Sequence, residues 1–323
     1  MRHNDLCGQK VRVLNVVDGQ AERIIALLGG RENIVLVDAC MTRLRVTVKD
    51  PAKVADLAAW KAEGALSLLV KGDGIQAVYG PKADVLTLNT HSLIIPEHEA
   101  KREIFVDFIA KEQPEVFALQ EANQTAAAPL LAEAPAGYYP CPGNMVLLKA
   151  DNHAAAVAKM LEARGVHYYW SWLPAKVGYD IYDEGAAVFS RAPITAAENL
   201  LLSQINDYNN WKTRRALGVC AGDVWYYTVH LGWWKDEVEP FAPQWEKLSK
   251  AAGAKRTAFL LGDFNSEADV RGEGYDLVLG SGWQDTYRLA QQRDAGYTVV
   301  EAIDGWRDAP DAAAKKRIDQ IWC

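Results

Sequence analysis

No stretch of this chain approaches about 18 uninterrupted apolar residues, and the opening MRHNDLCGQK holds no apolar run of signal-peptide length. Neither a membrane span nor a secretory leader is expected, and the protein is read as cytoplasmic. Cysteine is scarce: Cys7, Cys40, Cys141, Cys220 and Cys323 have neither the density nor the close pairing of a disulfide scaffold, which favours a reducing compartment. Positive charge is in deficit, with 35 Lys and Arg against 42 Asp and Glu and a net charge of -7. A surface that coats nucleic acid is therefore disfavoured, whereas a local positive pocket for a small phosphorylated ligand is compatible. Internal repeats and low-complexity tracts are also missing; the alanines of EANQTAAAPLLAEAPAG read as a surface loop. What is present is 323 residues, half of them apolar and 24% charged, enough for one large unit or two folded ones.

From about Leu14 to Tyr79 the pattern predicts a small α/β unit. Gln20–Leu28 and Pro51–Glu63 have helical spacing, Arg43–Val48 alternates as a strand, and Ser67–Lys71 and Ile75–Val78 flank a Gly72-Asp73-Gly74 turn. A larger unit follows with no flexible linker. Strands are predicted at Asp84–Asn89, Val116–Gln120, Ala186–Phe189, Val224–His230, Thr257–Leu261 and Ile318–Trp322, with helices around Ala100–Ala110, His153–Ala163 and Pro243–Ala251. Asn89, Glu121, His230 and Asp263 each stand at or just past a strand end, which points to one pocket along a sheet edge.

In VDACMTRLRV, Cys40 precedes Arg43 and Arg45, which an alternating strand points to one side. Guanidinium groups beside a thiol depress its pKa and can hold a phosphoryl group; the plainer reading is an incidental cysteine near two surface arginines. GGRENIVLVDACMTRLRVTVKD followed by VKGDGIQAVYG resembles the enzyme IIB domain of glucose-family sugar phosphotransferase systems. That resemblance covers about a fifth of the chain and implies that residues 14–83 form such a domain after a tail at 1–13. Cys40 would be the phosphocysteine, supported by Arg43 and Arg45, with an enzyme IIA or a transporter component as partner. The sequence carries no sugar-conducting membrane domain, so a sensing or docking role for this unit stands beside phosphate exchange.

In the larger unit, Glu121 follows VFALQ, Asn89 ends VLTLN, His230 ends WYYTVH, and Asp263 and Asn265 lie in LLGDFNS. A carboxylate holds Mg²⁺ through oxygen, a second aligns or deprotonates water, and His with Asn donates hydrogen bonds to phosphoryl oxygens. Taken singly, each has a plain account: a turn former, a solvated helix start, a half-buried histidine, an Asx-turn. Their joint placement argues otherwise. TLNTH, ALQEAN, DEGAAVFSR, TVHLG, GDFNS, WQDTY and KRIDQIW, in that order, resemble the endonuclease/exonuclease/phosphatase superfamily over residues 84–323. The resemblance implies an α/β (α+β) fold, a two-sheet DNase I-like sandwich, with Mg²⁺ (Mn²⁺ as substitute) held by Glu121 and Asn89. It makes Asp263 the water-aligning group, Asn265 and His230 phosphate ligands, and Asp319 the partner of a terminal histidine. No histidine follows Asp319, so the unit is expected to be C-terminally incomplete, with Ile321 and Trp322 on an unprotected edge; His91 is only a remote substitute.

The segments LTLNTHS, ALQEANQ, YDIYDEGAAVFSR and HLGWW are most similar to bacterial maltose 6'-phosphate phosphatases. The implied activity is metal-dependent hydrolysis of a sugar phosphate monoester, a disaccharide 6'-phosphate, linked to phosphotransferase uptake. Asp183, Glu184, Arg215 and Trp233 are candidate substrate contacts, against structural roles as loop, surface or core residues. Arg214 shares the alternatives of Arg215, and Trp170, Trp172, Trp211, Trp225 and Trp234 those of Trp233. Two other readings stay open: a catalytically impaired binding or regulatory protein, and a metal-dependent nuclease or other phosphodiesterase.

Overall fold

The computed structural model describes residues 20–40, 43–63, 65, 67–78, 85–290, 293–300 and 315–323. The chain divides into two compact units, 1–84 and 85–323. The expected tail at 1–13 and the junction at 79–84 lie outside the described residues. No described helix is long and apolar enough to cross a membrane.

In the first unit, helix α1 (Gln20–Leu27) and helix α2 (Leu57–Ala62) accompany an antiparallel sheet of β1 (Ile34–Cys40), β2 (Arg43–Val48), β3 (Ser67–Lys71) and β4 (Gly74–Val78), ordered β1-β2-β4-β3. Period-two alternation buries Val46 and Val48 of β2 with Ile75 and Ala77 of β4 against Ile24, Leu28 and Trp60. The single helix expected over Pro51–Glu63 is two pieces. Asp50 caps a 3-10 turn at Pro51–Lys53 through Ala52 N, and Asp56 caps α2 afresh through Ala59 N. Strand β1 has no counterpart in the pattern reading, because IVLVDAC hardly alternates and Val35, Leu36 and Val37 are all exposed.

The second unit is a pair of five-stranded sheets with helices on their outer faces. One contains β5 (Val85–Asn89), β6 (Val116–Gln120), β7 (Gln124–Thr125), β8 (Tyr169–Gly178) and β9 (Tyr182–Ser190), ordered β5-β6-β9-β7 with β8 also on β9. The other runs β10 (Ile194–Leu201), β11 (Arg215–Ala221), β12 (Val224–His230), β13 (Ala258–Asp263) and β14 (Asp319–Trp322) in chain order. Helices α3 (His98–Glu112) and α4 (His153–Ala163) supply Val106, Ile109, Val157 and Leu161 to a core shared with Phe117, Leu119, Trp170 and Trp172. Helix α5 (Phe241–Gly253) and helix α6 (Gly274–Gly280) cover the second sheet through Trp245, Leu248, Tyr275 and Val278. Between the sheets lie Val116, Ala118, Leu173, Val188, Leu217, Val219 and Leu261.

This layering explains why VFALQ is buried at every position: Phe117 and Leu119 meet the helices while Val116 and Ala118 meet the other sheet. Gln120 is satisfied in the interlayer by Thr87 and Thr228, at 3.0 and 2.9 Å. Strand β14 is outermost, as an edge reading requires, but it is not unprotected. Backbone bonds between Gln284 and Cys323 (2.9 and 3.0 Å) cover it, and Trp322 is fully buried.

Candidate functional site

Strand directions bring one end of each sheet together. β5 and β6 are parallel, so Asn89 pairs with Gln120 and Glu121 emerges beside it. β12 and β13 are parallel, so His230 pairs with Asp263; β14 is antiparallel to β13 and begins with Asp319 opposite Asp263. Antiparallel β8 and β9 place Lys176 opposite Glu184.

Across the gap, Asn89 Nδ2 donates to Glu121 Oε1 at 2.8 Å and to Asp263 Oδ2 at 3.3 Å. His230 stands 3.9 Å from both Glu121 and Glu184 and 3.8 Å from Asp263. His91 Nε2 is 3.9 Å from Glu121 Oε2, closer than its sequence position suggested. Asn265 closes an Asx-turn, its N–H donating to Asp263 Oδ1 (2.7 Å) and its side chain to the Leu231 carbonyl (2.9 Å).

The local backbone is costly and tightly braced. Glu121, His91 and Asn265 have φ of 48°, 43° and 45°, the left-handed region that L residues avoid. The carbonyl of Glu121 accepts from the hydroxyls of Thr90 (3.0 Å) and Ser92 (2.6 Å), and Trp172 Nε1 donates to the next carbonyl, Ala122 O, at 2.7 Å. Before Asp263, Gly262 has φ 145°, and a Cβ there would lie 2.0 Å from the Val229 carbonyl. The glycine thus lets β13 run against β12 and deliver Asp263.

Electrostatics follow from crowding acids in a buried place. Burial, then the neighbouring charge of Glu184, pushes the Glu121 carboxyl up to about 7. Burial, then Asp319, pushes Asp263 up to about 7 as well, and burial raises Asp319. Asp319 Oδ1 is buried with no hydrogen-bond partner. Burial, then the positive charges of Arg214 and Lys176, hold His230 well below its ordinary value, so its imidazole is neutral at pH 7. Lys176, 3.1 Å from Glu184, is lowered to about 8 by burial and by Arg214.

An acid-rich, oxygen-donor cluster with an orphaned carboxylate oxygen fits a hard divalent cation. Among the described residues, no group of three or more His, Cys, Asp or Glu is drawn together at ligating spacing.

The remaining candidates fall elsewhere. Both oxygens of Asp183 are taken, by Gln124 Nε2 (2.8 Å) and Tyr208 Oη (2.7 Å), so it fixes the 203–213 loop. Arg215 borders the site but its guanidinium is bound by Asn199 (2.8 Å) and Asn206 (2.6 Å). Trp233 pairs with Trp211 at 6.0 Å, Trp211 being 52% exposed, whereas Trp170 and Trp172 are core. In the first unit, Cys40 ends β1 opposite Arg43, and Arg45, opposite Asp38, is exposed. Pattern reading gave no role to Thr90, Ser92 and Lys176, and weighed Trp172 only as a sugar contact or core residue. They act through contacts distant in sequence, for which no local signal exists.

Comparison with known proteins agrees with this architecture. A family model described as phosphotransferase system, EIIB matches residues 22–54, and one described as Endonuclease/Exonuclease/phosphatase family matches 86–323. The glucose-specific EIICBA component of the phosphotransferase system from Streptococcus pneumoniae serotype 4 is 61% identical over 83 residues, which cover 24% of this chain and 11% of that protein. Its counterpart from Staphylococcus saprophyticus is 38% identical over 101 residues, 31% of this chain and 14% of that one. The chain thus spans a small part of the length of these relatives. Among solved structures, an endonuclease/exonuclease/phosphatase family protein from Leptotrichia buccalis superposes with a TM-score of 0.61 at 26% identity, covering 74% of this chain and 86% of that one. With a match running from residue 86 to residue 323, the chain belongs to the endonuclease/exonuclease/phosphatase family.

Proposed function

We propose that this protein hydrolyses a sugar phosphate monoester, a disaccharide 6'-phosphate such as maltose 6'-phosphate, in the cytoplasm. The observation that carries the reading is the meeting of Asn89, Glu121, His230 and Asp263 within 4 Å of one another in successive pairs, at the joint end of two sheets. Similarity of the first unit to a sugar phosphotransferase domain supports a phosphorylated sugar as substrate and an enzyme IIA or transporter component as partner, with Cys40, Arg43 and Arg45 as its phosphotransfer residues.

Glu121 and Asn89 would hold Mg²⁺ or Mn²⁺. Such an ion, when bound, neutralises charge developing on the phosphoryl group. Asp263, raised to about 7 by burial and then by the charge of Asp319, is poised to align water and take its proton near neutral pH. Neutral His230 donates an N–H to a phosphoryl oxygen, and Asn265 binds a second. Glu184 is kept in place by Lys176, Asp183 anchors the loop carrying Tyr208, and Arg215 borders the pocket, whereas Trp233 stands apart against Trp211.

The test is phosphate release across a panel of sugar phosphates in Mg²⁺, maltose 6'-phosphate included, with Glu121→Ala as blank. Release that is lost in the variant and greatest on the disaccharide phosphate supports the reading. Cleavage of DNA or RNA in its place, also lost in Glu121→Ala, would replace it with a nuclease. No turnover of any ester would leave a binding or regulatory protein.

A further inference from the structure

Arg214 enters β11 at the same sheet end as His230 and is only 5% exposed. Its backbone is fixed: its N–H donates to Ser203 Oγ at 2.9 Å, and its carbonyl accepts from Leu202 N at 2.9 Å. Its guanidinium forms no hydrogen bond or ion pair with any described residue. The neighbouring cations differ, Lys176 having Glu184 and Arg215 having two asparagines. Asp263 balances the charge of Arg214 at a distance, while the arginine's N–H donors, with no hydrogen-bonded partner among the described residues, suit an anionic ligand.

The space beside it restricts what that ligand can be. Arg214, Arg215, Glu121, Glu184, His230 and Gly185 are among the residues that line a pocket of about 20 Å³. Gly185 leaves no room for a larger residue there, since a Cβ on it would lie 2.7 Å from Trp172 Nε1 and 2.8 Å from the Leu173 carbonyl. One oxygen-sized group needs ~10–15 Å³. The pocket therefore has room for one phosphoryl oxygen beside Arg214.

We propose that Arg214, at this small pocket, seats a terminal phosphoryl oxygen, and that its charge favours phosphate monoesters, which carry one more negative charge and one more unsubstituted oxygen than diesters. The inference rests on the phosphoesterase reading for its substrate class but is measured first by binding. Inorganic phosphate is titrated calorimetrically, in Mg²⁺, into wild-type protein, Arg214→Ala and Arg214→Lys. Alanine is expected to weaken phosphate about 10- to 100-fold, the range of a charge-assisted hydrogen bond, with lysine in between. Because the arginine has no direct partner, Arg214→Ala should melt, without phosphate, no lower than wild type, and phosphate should raise the melting temperature of wild type alone. On p-nitrophenyl phosphate and bis(p-nitrophenyl) phosphate, the alanine variant should lose more kcat/KM for the monoester.

Phosphate affinity in Arg214→Ala within about twofold of wild type would overturn the proposal. So would equal losses on the two esters. A lower melting temperature together with lost affinity would make Arg214 structural instead. If wild type hydrolyses neither these esters nor any sugar phosphate, the phosphoesterase reading fails while the phosphate titration still decides the role of Arg214.

Discussion

Replacing Glu121 by Gln should stabilise the metal-free protein at alkaline pH. Glu121 rises from 4.5 to about 7 on folding, chiefly through burial and the charge of Glu184. The folded state therefore holds the proton more tightly than the unfolded chain does. The resulting penalty is absent below about pH 4.5, grows as pH rises, and is fully present above about 7. That rise corresponds to roughly 3 kcal/mol as an upper bound. Gln keeps an acceptor for Asn89 Nδ2, now 2.8 Å from Glu121 Oε1, and removes the charge. For a unit of this size ~1 kcal/mol is worth about 2–4 °C, so Glu121→Gln should melt several degrees above wild type at pH 8 in chelator and level with it at pH 5. Mg²⁺ should then raise the wild-type melting temperature more at pH 8 than at pH 6, where protons compete for the carboxylates, and should do little for the variant. Thermal scanning over pH 5–8.5 with and without Mg²⁺ measures all of this. A variant less stable than wild type at pH 8, or a gain that shrinks as pH rises, would refute the reasoning.

Gly262→Ala should abolish the native fold or leave it barely stable, because the added carbon lies 2.0 Å from the Val229 carbonyl; circular dichroism and soluble yield report it. Lys176→Met strands Glu184 without its ion pair and should cost about 3–5 kcal/mol in urea unfolding at pH 6.5, where Lys176 is charged, an effect that a Lys176→Met/Glu184→Gln double variant should largely remove. Trp172→Phe loses the bond to the Ala122 carbonyl and should lower stability by about 1 kcal/mol, while reducing turnover more than that figure implies, since Glu121 depends on the same backbone turn. Chelation of divalent ions should stop phosphate release, and Mg²⁺ should restore it.

The local sequence determined a good deal of this protein. Alternation in RLRVTV and the apolar run VFALQ announced strands, and polar residues at strand ends announced where a site would form. Asn89, Glu121, His230 and Asp263 were legible one by one because a sheet exposes its strand ends in a fixed direction. Strands β8, β10 and β11 were not, as their half-buried mixtures of aromatic, small and polar residues carry no clean period. Only the tertiary structure decided which charges have partners. Arg214 and Arg215 are adjacent and identical in sequence, yet Asn199 and Asn206 hold one while the other stands buried beside the carboxylates with no hydrogen-bonded partner among the described residues. Likewise, Trp172 and Ser92 reach Glu121 through the backbone of a turn that neither adjoins in sequence. Periodicity reports which face of an element is buried; what shares that burial depends on the packing of distant segments, which no local pattern contains.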